Sequence, residues 1–327
     1  MRSVRSRRYP RGVTGPGFRN EWGARVTRLL VLAFLPVAIA ATGLAGTSSP
    51  SMSVERRSET TQHDLPLGIY DPHKTFKQTR NLAFEHVFVK WQTFDAHWLR
   101  KKARYAAKRR RKMLVTVEPW TKSPGDTGAT LFSDIVNGAY DREITAICSE
   151  VSRIRRRPLV RWGHEMEEVR GRYPWARDDS DGYVRAFRYF VSSCREIAPK
   201  ARFIWSPLGH RDLAPYYPGD AFVNFIGLPI YSYQKADRKW FNRSRTFKEA
   251  VAEKYNRVTR FNKPVILAEL GVSGTRWYER RWLRQLKKAG ELFPRVKATL
   301  YFNMREVADW PDGLGRPDWR IAPRQLR

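Results

Sequence analysis

Eight short apolar or β-branched runs recur along the chain, at Leu67–Tyr70, His86–Trp91, Met113–Val117, Leu159–Trp162, Phe203–Trp205, Phe222–Ile230, Val265–Glu269 and Ala298–Asn303. Helical patterns separate most of them, among them Asp95–Lys112, Asp141–Arg155, Gly182–Ile197 and Thr246–Arg260. Short apolar runs joined by helical crossovers are what parallel strands look like when both sheet faces are covered. Eight of them within residues 65–327 match a (β/α)8 barrel, an α/β fold of about 250 residues. An open doubly wound sheet would share the alternation. However, Tyr70-Asp71-Pro72 follows the first run, where a nucleotide-binding sheet carries a glycine-rich loop. The barrel is therefore the expected fold.

Charge and cysteine content narrow the class. Lys and Arg number 62 against 32 Asp and Glu, a formal charge of +30, and 42% of residues are hydrophobic, enough for a real core. Two cysteines exclude a disulfide scaffold and a Cys-rich metal module, although Cys148 and Cys194 could pair after export. Residues 1–28 hold eight arginines and one acid, Glu21, and an apolar run from Leu29 to Ala41 with Ala38 and Ala40 at a cleavage spacing follows. Residues 1–46 thus read as a secretory signal peptide or an uncleaved signal anchor, and the protein as exported, periplasmic or extracellular. Residues 47–64, rich in Ser, Thr and charge, read as a linker. Nine of the thirteen residues 100–112 are basic, a run expected on a helix. It suits contact with an acidic glycan or an anionic membrane surface, or is simply a solvated helix face. Nucleic acid is not expected as a partner of an exported chain, and the chain is read as a monomer.

In a barrel, the carboxyl ends of the strands form the active face. In order they present Asp71, Trp91, Glu118 with Trp120, His164 with Glu165, Trp205, Tyr231, Glu269 and Asn303. Flat aromatic rings beside carboxylates and amides are what a sugar-binding cleft requires. Glu165 and Glu269 each follow an apolar strand. On strands four and seven they can stand about 5–5.5 Å apart across the mouth, the spacing of retaining glycoside hydrolysis. His164-Glu165-Met166-Glu167-Glu168 opens like a zinc-protease motif, but position 168 is Glu where the second His belongs. No metal or cofactor is expected.

Arg161-Trp162-Gly163-His164-Glu165-Met166, followed by Tyr173-Pro174-Trp175, resembles the acid/base motif of glycoside hydrolase family 26. Further matches are Tyr216-Tyr217-Pro218-Gly219-Asp220, Ile226 through Tyr231, and Lys263-Pro264 through Ala268-Glu269-Leu270-Gly271. The resemblance spans residues from about 65 to the carboxyl end. It implies a retaining barrel with Glu165 as acid/base and Glu269 as nucleophile. His164 would lie near the −1 sugar, Tyr231 would hydrogen-bond the nucleophile, and Trp175 would stack at or near the cleavage site. Tyr173, Trp91, Trp120, Glu118, Trp205 and Asn303 complete the expected substrate contacts. Mannan-cleaving members commonly carry Asn where this chain has Glu167, and Asp where it has Pro229. The implied activity is an endo-β-glycanase on a β-glucan, β-1,4 or mixed-linkage β-1,3-1,4, with β-1,4-mannan as the alternative. A non-catalytic glycan-binding accessory of a polysaccharide export system would keep the tryptophans without needing both glutamates.

Overall fold

A computed structural model describes residues 65–121, 127–168, 171–209 and 213–326. The expected signal segment, 1–46, and linker, 47–64, lie outside the described residues. Eight parallel strands form a closed barrel: β1 (Leu67–Tyr70), β2 (Phe84–Lys90), β3 (Lys112–Glu118), β4 (Leu159–Trp162), β5 (Arg202–Trp205), β6 (Phe225–Tyr233), β7 (Val265–Ser273) and β8 (Val296–Phe302). β1 pairs with β8 from Leu67↔Thr299 to Tyr70↔Phe302, which leaves no sheet edge. The expected (β/α)8 fold is present.

Among the described residues, eight helices flank the strands: α1 (Ala96–Lys108), α2 (Leu131–Val136), α3 (Asp141–Ser152), α4 (Ser180–Ile197), α5 (Gln234–Phe241), α6 (Phe247–Val258), α7 (Arg276–Lys287) and α8 (Ala289–Leu292). Side-chain caps from Asp95, Asp179, Thr246 and Thr275 start α1, α4, α6 and α7, each satisfying an amide that would otherwise lack a partner. Among the described residues, no helix is long and apolar enough to cross a membrane.

Two apolar layers follow from the period-two alternation of the strands. Phe84, Leu114, Leu159, Ile204, Ile266, Ala268, Ala298 and Leu300 meet inside the barrel. The alternate residues, such as Val87, Val89, Met113, Val115, Val117, Val160 and Phe203, pack outward with the helices. β1 contributes Gly68 to the interior, where a Cβ would lie 2.6 Å from the Phe84 Cβ. Cys148 of α3 and Cys194 of α4 form a disulfide, with their Cα atoms 5.4 Å apart.

The expected basic helix is corrected. α1 ends at Lys108, Arg110 takes a left-handed conformation (φ 58°), and Lys112 already belongs to β3. Arg111 is buried, with its guanidinium donating to Glu85 at 2.7 Å and to the carbonyls of Phe76 and Thr79. The run is one helix end, one turn and one strand start, and one of its charges serves the interior. The second strand also ends one residue earlier than expected, leaving Trp91 in a 3₁₀ turn.

Candidate active site

β4 delivers two functional side chains. Arg161 shares the inward phase of Leu159 and is fully buried. Four residues later, Glu165 stands beyond the strand end with φ 55°, just after Gly163 with φ 53°. A left-handed glutamate costs on the order of 1–3 kcal/mol and persists only where neighbours hold it. Here the backbone is held at each step. The Gly163 amide donates to the Val117 carbonyl at 3.1 Å, and the Glu165 amide to the Ser206 carbonyl at 2.8 Å. The Tyr183 hydroxyl donates to the Gly163 carbonyl at 3.2 Å, and the Trp175 indole to the His164 carbonyl at 2.7 Å.

Glu269 reaches the mouth through a bulge. β6 and β7 pair Leu228 with Leu267 but Pro229 with Glu269, so Ala268 is skipped. Ile266 and Ala268 face inward, whereas Leu267 and Leu270 both pack outward. Strict alternation would have sent Glu269 outward with Leu267. The extra residue re-aims it, as bulges beside functional sites commonly do. Its carboxylate accepts from the Arg161 guanidinium on one oxygen and from the Tyr231 hydroxyl, at 2.6 Å, on the other.

A side-chain nitrogen of His164 and one carboxylate oxygen each of Glu165 and Glu269 lie within 4.8 Å of one another. That grouping could in principle hold a cation, but the guanidinium beside Glu269 already supplies the positive charge. The two glutamates differ in electrostatic setting. Burial, then the charge of Glu269, pushes the Glu165 carboxyl up to about 7, against the opposing pull of Arg172, Arg161 and Lys254. Burial, and then the Arg161 charge, holds His164 well below its usual value, so its ring is neutral. Burial, and then Glu269, raises Tyr231 well above the usual phenol range and keeps it a proton donor to the carboxylate. Burial also raises Glu118, opposed by the Trp120 hydrogen bond and Lys90.

The remaining expected contacts divide. Trp120 is partly exposed, donates to Glu118 at 3.1 Å and lies 5.1 Å from the Lys90 ammonium, so these two residues line the mouth. The Tyr173 ring sits 5.1 Å from that of His164. Four expectations are corrected. Trp91 shares the outward phase of Val87 and Val89, stacks on Tyr140 and donates to the Trp120 carbonyl at 2.6 Å. Trp205 shares the outward phase of Phe203 and packs on Tyr217 and Phe261. Trp175 is fully buried and stacked on Tyr173, so it offers no free face to a sugar and acts by pinning the His164 carbonyl. Asn303 is 1% exposed; its amide donates to Asp71 and accepts from the Ile321 amide, tying the chain beyond β8 to β1.

Three residues not singled out in the sequence complete the site. Arg161 is the partner of Glu269, and a lone charge on the inward phase of an apolar strand was a legible sign of it. Arg172 is half-exposed, with its guanidinium 3.5 Å from Glu306, and its charge acts on both glutamates. Trp319, from the segment after β8, packs its ring 4.9 Å from Tyr231.

Fold and site together define a (β/α)8 barrel with a pair of buried glutamates at the carboxyl ends of its strands. Solved structures with the same fold include a family 26 glycoside hydrolase (GH26C) from a Muricauda species, at 13% identity and TM-score 0.57 over 73% of this chain and 79% of that one. Another is a family 26 β-mannanase from Bacteroides ovatus, at 14% identity and TM-score 0.58 over 81% and 86%. At such identities the likeness is one of fold. In sequence, the chain is 24% identical to endoglucanase H of Acetivibrio thermocellus over 253 residues, 71% of this chain and 26% of that protein. It is 23% identical to the β-1,3-xylanase TXYA of a Vibrio species over 143 residues, 42% of this chain and 28% of that protein. The chain spans about a quarter of the length of these curated relatives. No protein-family model matches it. The solved structures share the barrel fold, and the curated relatives are, by name, an endoglucanase and a xylanase.

Proposed function

We propose that the chain is an exported retaining endo-β-glycanase acting on a β-glucan by double displacement. The reading is carried by one observation: carboxylate oxygens of Glu165 and Glu269 within 4.8 Å, one carboxyl raised to about 7 and the other held by a guanidinium and a phenol. Glu269 attacks the anomeric carbon while Glu165 gives its proton to the departing glycosidic oxygen. Glu165, now a carboxylate, then takes a proton from water as that water releases the sugar from Glu269. Arg161 and Tyr231 orient the nucleophile, and Tyr231 must loosen as the carboxylate becomes an ester. His164 meets the sugar uncharged.

β-Glucan is favoured over mannan by the two departures from the mannan-cleaving pattern. Glu167 accepts from the Gly209 amide at 2.8 Å, and the Pro229 carbonyl accepts from Lys254 at 2.8 Å. Both positions are committed to the protein rather than to a sugar hydroxyl. β-1,4-Mannan remains the second reading because the Bacteroides ovatus structure of the same fold is a β-mannanase. Residues 1–46 would direct export. The exposed part of 100–112 would add a salt-sensitive contact to an acidic glycan or an anionic membrane surface. The test incubates the full chain with β-1,3-1,4-glucan, carboxymethylcellulose, β-mannan and β-1,3-xylan and scores reducing ends. Cleavage of a glucan, lost in Glu165→Gln and Glu269→Gln, is expected. Cleavage of mannan alone would reassign the substrate, and glycan binding without cleavage would leave the accessory reading in its place.

A further inference from the structure

α7 carries a second feature that the cleft does not use. Trp277, Arg280, Leu283, Arg284 and Lys287 of this helix, together with Arg324, line a surface groove of about 580 Å³. The spacing of i, i+3, i+7 and i+10 places Trp277, Arg280, Arg284 and Lys287 on one stripe, about 15 Å long at 1.5 Å per residue. Tyr278, Trp282 and Leu286 are buried on the barrel side of the same helix. Trp277 is 58% exposed, and the Arg281 guanidinium lies 5.3 Å from its ring centre.

Among the described residues that line the groove none is a carboxylate, and Arg280, Arg284 and Arg324 carry its charge. Like charges three and four residues apart on a helix repel and weaken it, so fold stability alone does not explain the stripe. Guanidinium forks match carboxylates in bidentate geometry, and a flat indole stacks on the apolar face of a pyranose. A concave groove with cations along its length, a tryptophan at one end and an apolar floor at Leu283 combines both chemistries. We propose that this groove binds an anionic polysaccharide whose sugars carry carboxylates, a polyuronate. Trp277 follows β7 by a few residues, so the groove opens at the barrel end that bears Glu269 and runs away from it. A flat lipid leaflet has no use for the concavity. The inference goes beyond the cleavage reading and stands whether or not the mouth cuts a glucan.

The test measures binding of a short oligogalacturonate to the full chain by calorimetry at about 0.1 M salt, where surface charge is still felt over about 10 Å. Cellohexaose, an oligothymidylate and phosphatidylglycerol vesicles serve as comparison ligands. Saturable binding of the oligogalacturonate is expected, weakened roughly tenfold or more in Arg280→Ala/Arg284→Ala, because two charge-assisted contacts are lost. Trp277→Ala is expected to weaken it several-fold. Arg155→Ala/Arg157→Ala removes the same charge from another exposed surface and is expected to change it less than about twofold, as for unpaired surface charge. Melting curves check that each variant is folded. Equal losses in the two double variants would reduce the effect to net charge and overturn the proposal. Unchanged binding in the α7 variants, or α7-dependent binding of the oligothymidylate or vesicles without the oligogalacturonate, would do the same.

Discussion

Glu165 illustrates how position rather than residue type assigns a role. Burial and a neighbouring charge raise its carboxyl to about 7, so the acid form that the proposed first step needs declines as pH rises through that value. The rate kcat/KM is expected to fall on the alkaline side with an apparent pKa near 7, and a pH–rate profile checks it. The same shift bears on stability. The folded-state value lies above the unfolded one, so the contribution is complete below about 4.5 and is lost as pH rises through about 7. Glu165→Gln, which cannot ionise, is therefore expected to gain stability relative to the parent between pH 4 and 8, on the order of 2 kcal/mol, read from denaturant midpoints. Tyr231→Phe removes one hydrogen bond to Glu269, the proposed nucleophile. A charged-acceptor bond contributes about 1.5–3 kcal/mol, so kcat is expected to drop roughly 10- to 100-fold with the fold intact.

At the scale of the elements, alternation does most of the sorting. Trp91 and Trp205 look like cleft residues when only strand ends are read, yet Val87 and Val89 before the one, and Phe203 before the other, already set an outward phase. The outward phase is present in the sequence, and it outweighs the tendency of strand-end tryptophans to meet sugars. Arg161 is the converse: its inward phase with Leu159 was readable, but its partner Glu269 lies 108 residues away. β1 is closely packed at Gly68. Gly68→Ala would put a Cβ 2.6 Å from that of Phe84 and 2.9 Å from Leu300 Cγ. Overpacking of this kind costs about 1–3 kcal/mol, and a lowered urea midpoint with little change in slope is the expected result.

Across the whole molecule, the disulfide closes a long stretch of chain. Cys148 and Cys194 are 46 residues apart and join α3 to α4. Restricting an unfolded loop of that length stabilises a fold by about 3–4 kcal/mol. Replacing both cysteines by serine, or reducing the bond, is expected to lower Tm by roughly 10 °C for a domain of this size. Calorimetry of the oxidised and reduced chains would show it, and coincident melting curves would contradict it. The excess of cations is likewise a property of the whole surface, with Arg111 and Arg161 as members drawn inside to pair with Glu85 and Glu269.

Strand number and the facing of most side chains were determined by the sequence itself, because periodicity is a local property and survives being read one segment at a time. The strand ends named Glu165, His164, Glu118, Tyr231 and Glu269 for the same reason. Tertiary structure decided how the two glutamates face each other. Ala268 slips the phase of β7 so that Glu269 turns inward, and Glu165 is held left-handed by Ser206, Tyr183 and Trp175. A bulge and a strained backbone each cost energy locally. They persist because residues distant in sequence hold them, and no local pattern records that.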